Sequence, residues 1–180
     1  MKSVKDGLLG GILVSGLLFA PGAAFAEGEP VAAGAGENGR TTQNFKDWTL
    51  VCETPEGAQT EVCFINQLLA VKETGKQIML ATVSHPGKGD TPVLFVTLPL
   101  GVFLAPGMAI GIDDGEVKQI PYDRCTPLGC SAALPLEQGM LEAMKKGSQA
   151  KVIFMDGQRK KVGLPISLTG FTAAVSSLRK

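Results

Sequence analysis

Four cysteines, Cys52, Cys63, Cys125 and Cys130, and one histidine, His85, carry the most reactive chemistry in this chain. Thiols bind metal, exchange electrons or cross-link. Structural zinc sites want C-x2-C-type pairs with matching partners, and dithiol oxidoreductases want C-x-x-C; the spacings here fit neither. Cross-linking remains, with three pairings possible in principle. Short loops close more easily, so the expected bonds are Cys52 with Cys63 and Cys125 with Cys130, contributing about 3 and about 2 kcal/mol on the chain-entropy account. His85 follows Ser84 directly, which is not triad geometry, and lies in the polar stretch 85–90, where a solvent-exposed histidine is the ordinary outcome. No G-x-S-x-G frame accompanies it. Asp113 and Asp114 precede Gly115 without the spaced oxygen ligands of a calcium loop, so turn chemistry explains them better. Carboxylate pairs for glycoside hydrolysis leave no signature in spacing. The reading is therefore of no catalytic residue, no metal and no cofactor.

Cross-linked thiols need an oxidising compartment, and the N-terminus supplies an address. Lys2 and Lys5 precede an apolar run from Gly7 to Ala20, and Ala24-Phe25-Ala26 gives the small-x-small pattern of signal-peptidase cleavage. The apolar stretch is shorter than the ~20 residues that span a bilayer. Residues 1–26 thus read as a cleaved signal and the location as periplasmic, with outer-membrane association or secretion as further destinations. No integral membrane span is expected after cleavage. Of 17 basic and 17 acidic residues, Lys2, Lys5 and Asp6 fall in the signal, leaving a near-neutral remainder that lacks the basic concentration nucleic acid demands. The clusters Lys145-Lys146 and Arg159-Lys160-Lys161 read as solvated helix and hairpin surface, with a lipid or glycan-phosphate contact as the alternative.

Residues 27–44, rich in Gly, Ala and Glu, read as a flexible tether. Folded sequence is expected over 45–180, as one domain. Trp48, Leu50 and Cys52 alternate with Thr49 and Val51, and β-type runs follow over 62–71 and 77–83 with a turn at 72–75. Asp114-Gly115 and Asp156-Gly157 lie between apolar strands, and in the favoured two-residue turn both central residues take positive φ. Helices are expected over 136–146 and 170–178, the second capped by Thr169 or Ser167. Residues 91–112 carry no charge, but Pro92, Pro99 and Pro106 with three glycines would break a helix every turn or two. This segment reads as the most buried hairpin or sheet passage, and Leu98, Leu100, Val102, Phe103 and Leu104 within it form the candidate contact surface. The resulting fold class is mainly β, an antiparallel β-sandwich with one or two short helices, stapled by disulfides.

Four segments carry a family likeness: Phe45-Lys46-Asp47-Trp48 leading to Cys52; the run 98–104; Cys125 with Gly129-Cys130; and the ending 164–174. In this order, behind an export signal, they resemble the invasion-associated locus B family of exported alphaproteobacterial proteins, over roughly residues 45–178. The resemblance implies an immunoglobulin-like sandwich, an envelope or secreted location, and in pathogenic members a link to host-cell entry; it implies no catalytic residue. The functional expectation is a non-enzymatic envelope protein that contacts an envelope or host protein. The alternative is a periplasmic small-ligand binder or hydrolase with a pocket between the sheets.

Overall fold

Period-two burial builds most of the structure, a computed structural model that describes residues 34–36, 39–86 and 89–178. The signal and half of the proposed tether, residues 27–33 and 37–38, lie outside these residues. In β5 (Gln77–Ser84) Met79, Ala81 and Val83 are buried, and in β6 (Val93–Leu98) Leu94, Val96 and Leu98 are. Successive strand residues face opposite sides, so these alternations give one apolar face. Further strands are β1 (Gly34–Gly36), β2 (Arg40–Phe45), β3 (Trp48–Glu53) and β4 (Val62–Ala70). Next come β7 (Met108–Ile112), β8 (Lys118–Ile120), β9 (Arg124–Thr126) and β10 (Gly129–Pro135), and then β11 (Gln149–Met155) and β12 (Lys161–Ser167). The helices are α1 (Gln138–Lys146) and α2 (Phe171–Ser176).

Two antiparallel sheets form a β-sandwich. One has eight strands in the order β1-β2-β3-β4-β5-β6-β10-β9, and the other four, β12-β11-β7-β8. Facing residues such as Ile65, Met79, Leu94, Met108, Ile110 and Val152 fill the space between them, each at most 1% exposed. One edge of the small sheet, β12, contains Pro165, whose missing N–H blunts an edge that could otherwise recruit a further strand. Residues 91–112 are not a hairpin. β6 lies in the large sheet and β7 in the small one, so this uncharged segment is the crossover between them. Both ends are buried, which is why it could dispense with charge.

Two expectations need correction at the N-terminal side and at the turns. Residues 40–44 are strand, paired through Thr41↔Cys52 to Phe45↔Trp48, so order begins before Phe45. Main-chain bonds to the edge of β3 hold a segment whose side chains have little to bury. The two Asp-Gly hairpins exist, but neither glycine has positive φ; Asp113 (φ 47) and Arg159 (φ 62) take the left-handed conformation instead. Asp156 Oδ1 accepts from the Gln158 and Lys160 amides at 2.9 and 2.8 Å, and this side-chain-closed turn is longer than the two-residue form. Helix α2 starts at Gly170 (φ 87) with no side-chain cap. Ser167 Oγ is engaged elsewhere.

Candidate contact surface

The crossover after β6 positions the apolar residues singled out above. Val102 bridges Asp156 in the β11–β12 turn, and the Phe103 amide donates to the Met155 carbonyl at 2.8 Å. Arg159 lies over the Phe103 ring, its guanidinium carbon 4.7 Å from the centroid. Val102 and Phe103 are therefore half-buried against the small sheet. Leu98 is fully buried, because it continues the inward series of Leu94 and Val96, and it does not belong to a surface. Only Leu100 (59% exposed) and Leu104 (48%) face solvent.

A residue outside that run projects further. Cys125 and Cys130 are directly paired on β9 and β10 and are disulfide-bonded, which ties off the turn 126–129. Gly129 (φ 139) sits so close to the Leu98 carbonyl that a Cβ would collide with it. The Leu128 amide donates to Thr126 Oγ1 at 3.2 Å, and the Leu128 side chain stands 86% exposed at the tip. Its signal was readable: a leucine between Pro127 and Gly129 in a loop too short to bury it. Arg124 connects this tip to Leu104. It lines both a 510 Å³ depression with Leu104, Pro121 and Tyr122, and a 560 Å³ groove with Pro99, Thr97 and Leu128. Its ion pair with Asp123, 3.9 Å and open to water, fixes little. The Tyr122 hydroxyl is buried with no hydrogen-bond partner among the described residues, and burial pushes its pKa up.

The remaining reactive residues do not assemble with these. Cys52 and Cys63, opposite each other on β3 and β4, form the second disulfide. Glu61 lies beside them, but sulfurs bonded to each other offer no thiolate for a metal. His85 is half-buried rather than solvated, with Nδ1 shielded and without a hydrogen-bond partner among the described residues. The Asp113 carboxylate accepts from the Ser148 and Gln149 amides at 3.1 and 3.0 Å, stitching β7 to β11. Its role is a turn.

A second constellation joins the sheets at the opposite margin. Trp48, fully buried, meets Phe171 edge to face at 5.2 Å, and its indole N–H donates to the Ser167 carbonyl at 2.9 Å. Gln67 of β4 donates to that carbonyl at 3.0 Å and to the Asp47 carbonyl at 3.1 Å, and accepts from the Ser167 amide at 2.8 Å. Ser167 Oγ donates to Asp47 at 2.6 Å. Sequence reasoning missed Gln67, an inward polar residue with no local pattern to mark it.

Residues 48–179 match the family described as invasion associated locus B (IalB) protein. The chain belongs to the IalB family. Invasion protein B homologues from Brucella abortus, strain 2308 and biovar 1 strain 9-941, are each 26% identical over 138 residues, covering 76% of this chain and 78% of theirs. The crystal structure of invasion associated protein B from Bartonella henselae shares the fold, with a TM-score of 0.66, 20% identity, and coverage of 75% of this chain and 93% of that one. The IalB-like segments, scattered in sequence, meet in pairs. Residues 45–48 abut the ending at Ser167 and Gly170, where a Cβ would collide with the Phe45 carbonyl. The run from Leu98 underlies Gly129-Cys130 through the Leu98↔Cys130 pair. These IalB motifs are thus two structural joints. Both disulfides lie within the large sheet, unlike the sheet-to-sheet bond of antibody domains. Among the described residues, no helix is long and apolar enough to cross a membrane.

Proposed function

We propose that this IalB-family chain is exported, cleaved after Ala26, and acts in the periplasm or beyond it as a non-enzymatic protein that binds an envelope or host protein. The observation that carries this reading is the stapled tip: Leu128, 86% exposed on a turn closed by Cys125–Cys130. A rigid apolar side chain loses little entropy on binding, which favours a contact role. Leu104 extends the apolar area, and Arg124, which lines one hollow with Leu104 and another with Leu128, supplies the residue type enriched in binding hot spots. The names of the Brucella and Bartonella relatives support host entry as the setting.

A photo-crosslinking residue at position 128, compared with one at Lys72 in the β4–β5 turn, tests the contact in living cells. A discrete adduct from 128 and none from 72 is expected. Equal adducts, or none from 128, would sink the proposal. Protease treatment of intact and outer-membrane-permeabilised cells separates the two locations: cleavage in intact cells means surface exposure, and protection until permeabilisation means a periplasmic partner.

A further inference from the structure

The outer face of the small sheet carries a built depression that the contact role does not use. Its floor is made of small residues. Ala109, 6% exposed, and Gly107 line it, and on the same face Gly111 and Gly163 leave room that the Val117 and Lys151 side chains occupy. Ile153, paired with both Ala109 and Gly163, forms one wall with Met155. Pro106 and Val117, the latter 50% exposed, form the other. The depression, open to solvent on one side, has a volume of about 370 Å³, within the ~300–1,000 Å³ of small-ligand sites.

Charge gives this apolar trough a direction. Lys161 lines it at the Met155 end, and the β11–β12 turn there adds Arg159 and Lys160. Lys151 lies across Gly163 on the same face. None of these four cations has a carboxylate within 4.0 Å among the described residues. Asp113 and Asp114 lie beyond Ile112, at the far end of β7 from Met108, whereas Glu116 adjoins Val117 of the trough wall, its carbonyl beside Gly111. Asp156, close to the cations in sequence, directs its Oδ1 to two backbone amides and lies more than 4.0 Å from each of the four cations.

We infer that this trough binds a single-chain amphiphile with an anionic head, its alkyl chain along Ala109 and Ile153 and its head at Lys161. Apolar walls exclude water from the chain, and the Lys161 ammonium at the Met155 end, with Lys160 next to it in the chain, favours the anion. Concavity favours one inserted chain over a bilayer, which would need apolar side chains that protrude. The basic cluster 159–161 thereby acquires a ligand class, and the inference is independent of the Leu128 contact.

Dodecyl phosphate below its micellar concentration is the probe, titrated calorimetrically into the exported chain, residues 27–180. Saturable one-to-one binding is expected, weakened by salt, with amide NMR shifts centred on Ala109 and Ile153. Val117→Glu and Lys161→Glu, both at exposed positions, should each weaken it about tenfold, near 1.4 kcal/mol, without moving the thermal midpoint. Should either variant misfold, Lys161→Gln and the shift map of the unaltered protein decide. Inorganic phosphate should not bind, and dodecyl maltoside should bind more weakly. Unchanged affinity in folded variants would overturn the inference. So would equal binding of the maltoside, shifts located elsewhere, or binding to phosphatidylglycerol vesicles without binding to the monomeric probe.

Discussion

Gln67→Leu isolates the joint between the sheets, because leucine keeps most of the bulk of glutamine and removes all three of its hydrogen bonds. The three losses are unequal. The Ser167 carbonyl retains the Trp48 indole N–H, and the Asp47 carbonyl belongs to an exposed residue that water can reach. The Ser167 amide has no such reserve: its 2.8 Å bond to Gln67 Oε1 is lost at a half-buried site. An orphaned buried donor costs about 1–3 kcal/mol, and the two lesser bonds together add about 1, so the expected loss is about 2–4 kcal/mol. Urea unfolding followed by the fluorescence of Trp48, the only tryptophan, measures it. Hydrogen exchange at the Ser167 amide should accelerate in parallel. A loss below about 0.5 kcal/mol with that amide still protected would refute the assignment of Gln67 as the inter-sheet clasp.

Further changes probe other joints of the molecule. Gly170→Ala should cost more than about 2 kcal/mol, since a left-handed alanine costs about 1–2 and its Cβ meets the Phe45 carbonyl, whereas Gly39→Ala (φ 67, open space) should cost only the conformational part; equal thermal midpoints would dismiss the steric account. Removing Cys52–Cys63 by paired alanines should cost about 3 kcal/mol and removing Cys125–Cys130 about 2, and the reverse order would contradict loop length as the source. Burial raises the pKa of Tyr122 in the folded state, so the unfolded chain ionises first, near pH 10. Its contribution to stability is whole below that pH and is lost as pH rises through the folded value; Tyr122→Phe should abolish this part of the alkaline decline, and phenolate absorbance of the single tyrosine reports it directly.

The sequence made some elements legible and hid others for physical reasons. Strand β3 announced itself by the alternation of Trp48, Leu50 and Cys52, β4 and β5 by β-type runs, and the helix faces of Met144 and of Phe171 with Ala174 and Val175 by helical spacing. Asp-Gly located two turns but not their geometry, because Asp113 and Asp156 close them through carboxylate bonds to amides that extend well beyond the dipeptide. Strand β2 was hidden because main-chain pairing, not side-chain burial, orders it. Leu98 was misplaced by treating 98–104 as one unit, although its first residue still obeys the strand alternation of β6. Leu128 was visible in composition and passed over; Gln67 was not visible, since its partners lie 20 and 100 residues away.

The order of strands has a kinetic consequence. The first six strands of the large sheet follow one another in the chain, so their pairings are local and can form as soon as the N-terminal half is free. The cover of Trp48 is not local: Ser167 and Phe171 come from the end of the chain, more than a hundred residues later. A chain released from its N-terminus onward must hold a wet tryptophan on the inner face of a nearly finished sheet until its last segment arrives. Docking of α2 over that ring is then the natural final event of folding, and a truncation just before Ser167 would leave an assembled large sheet with an aggregation-prone seam rather than a shorter native protein.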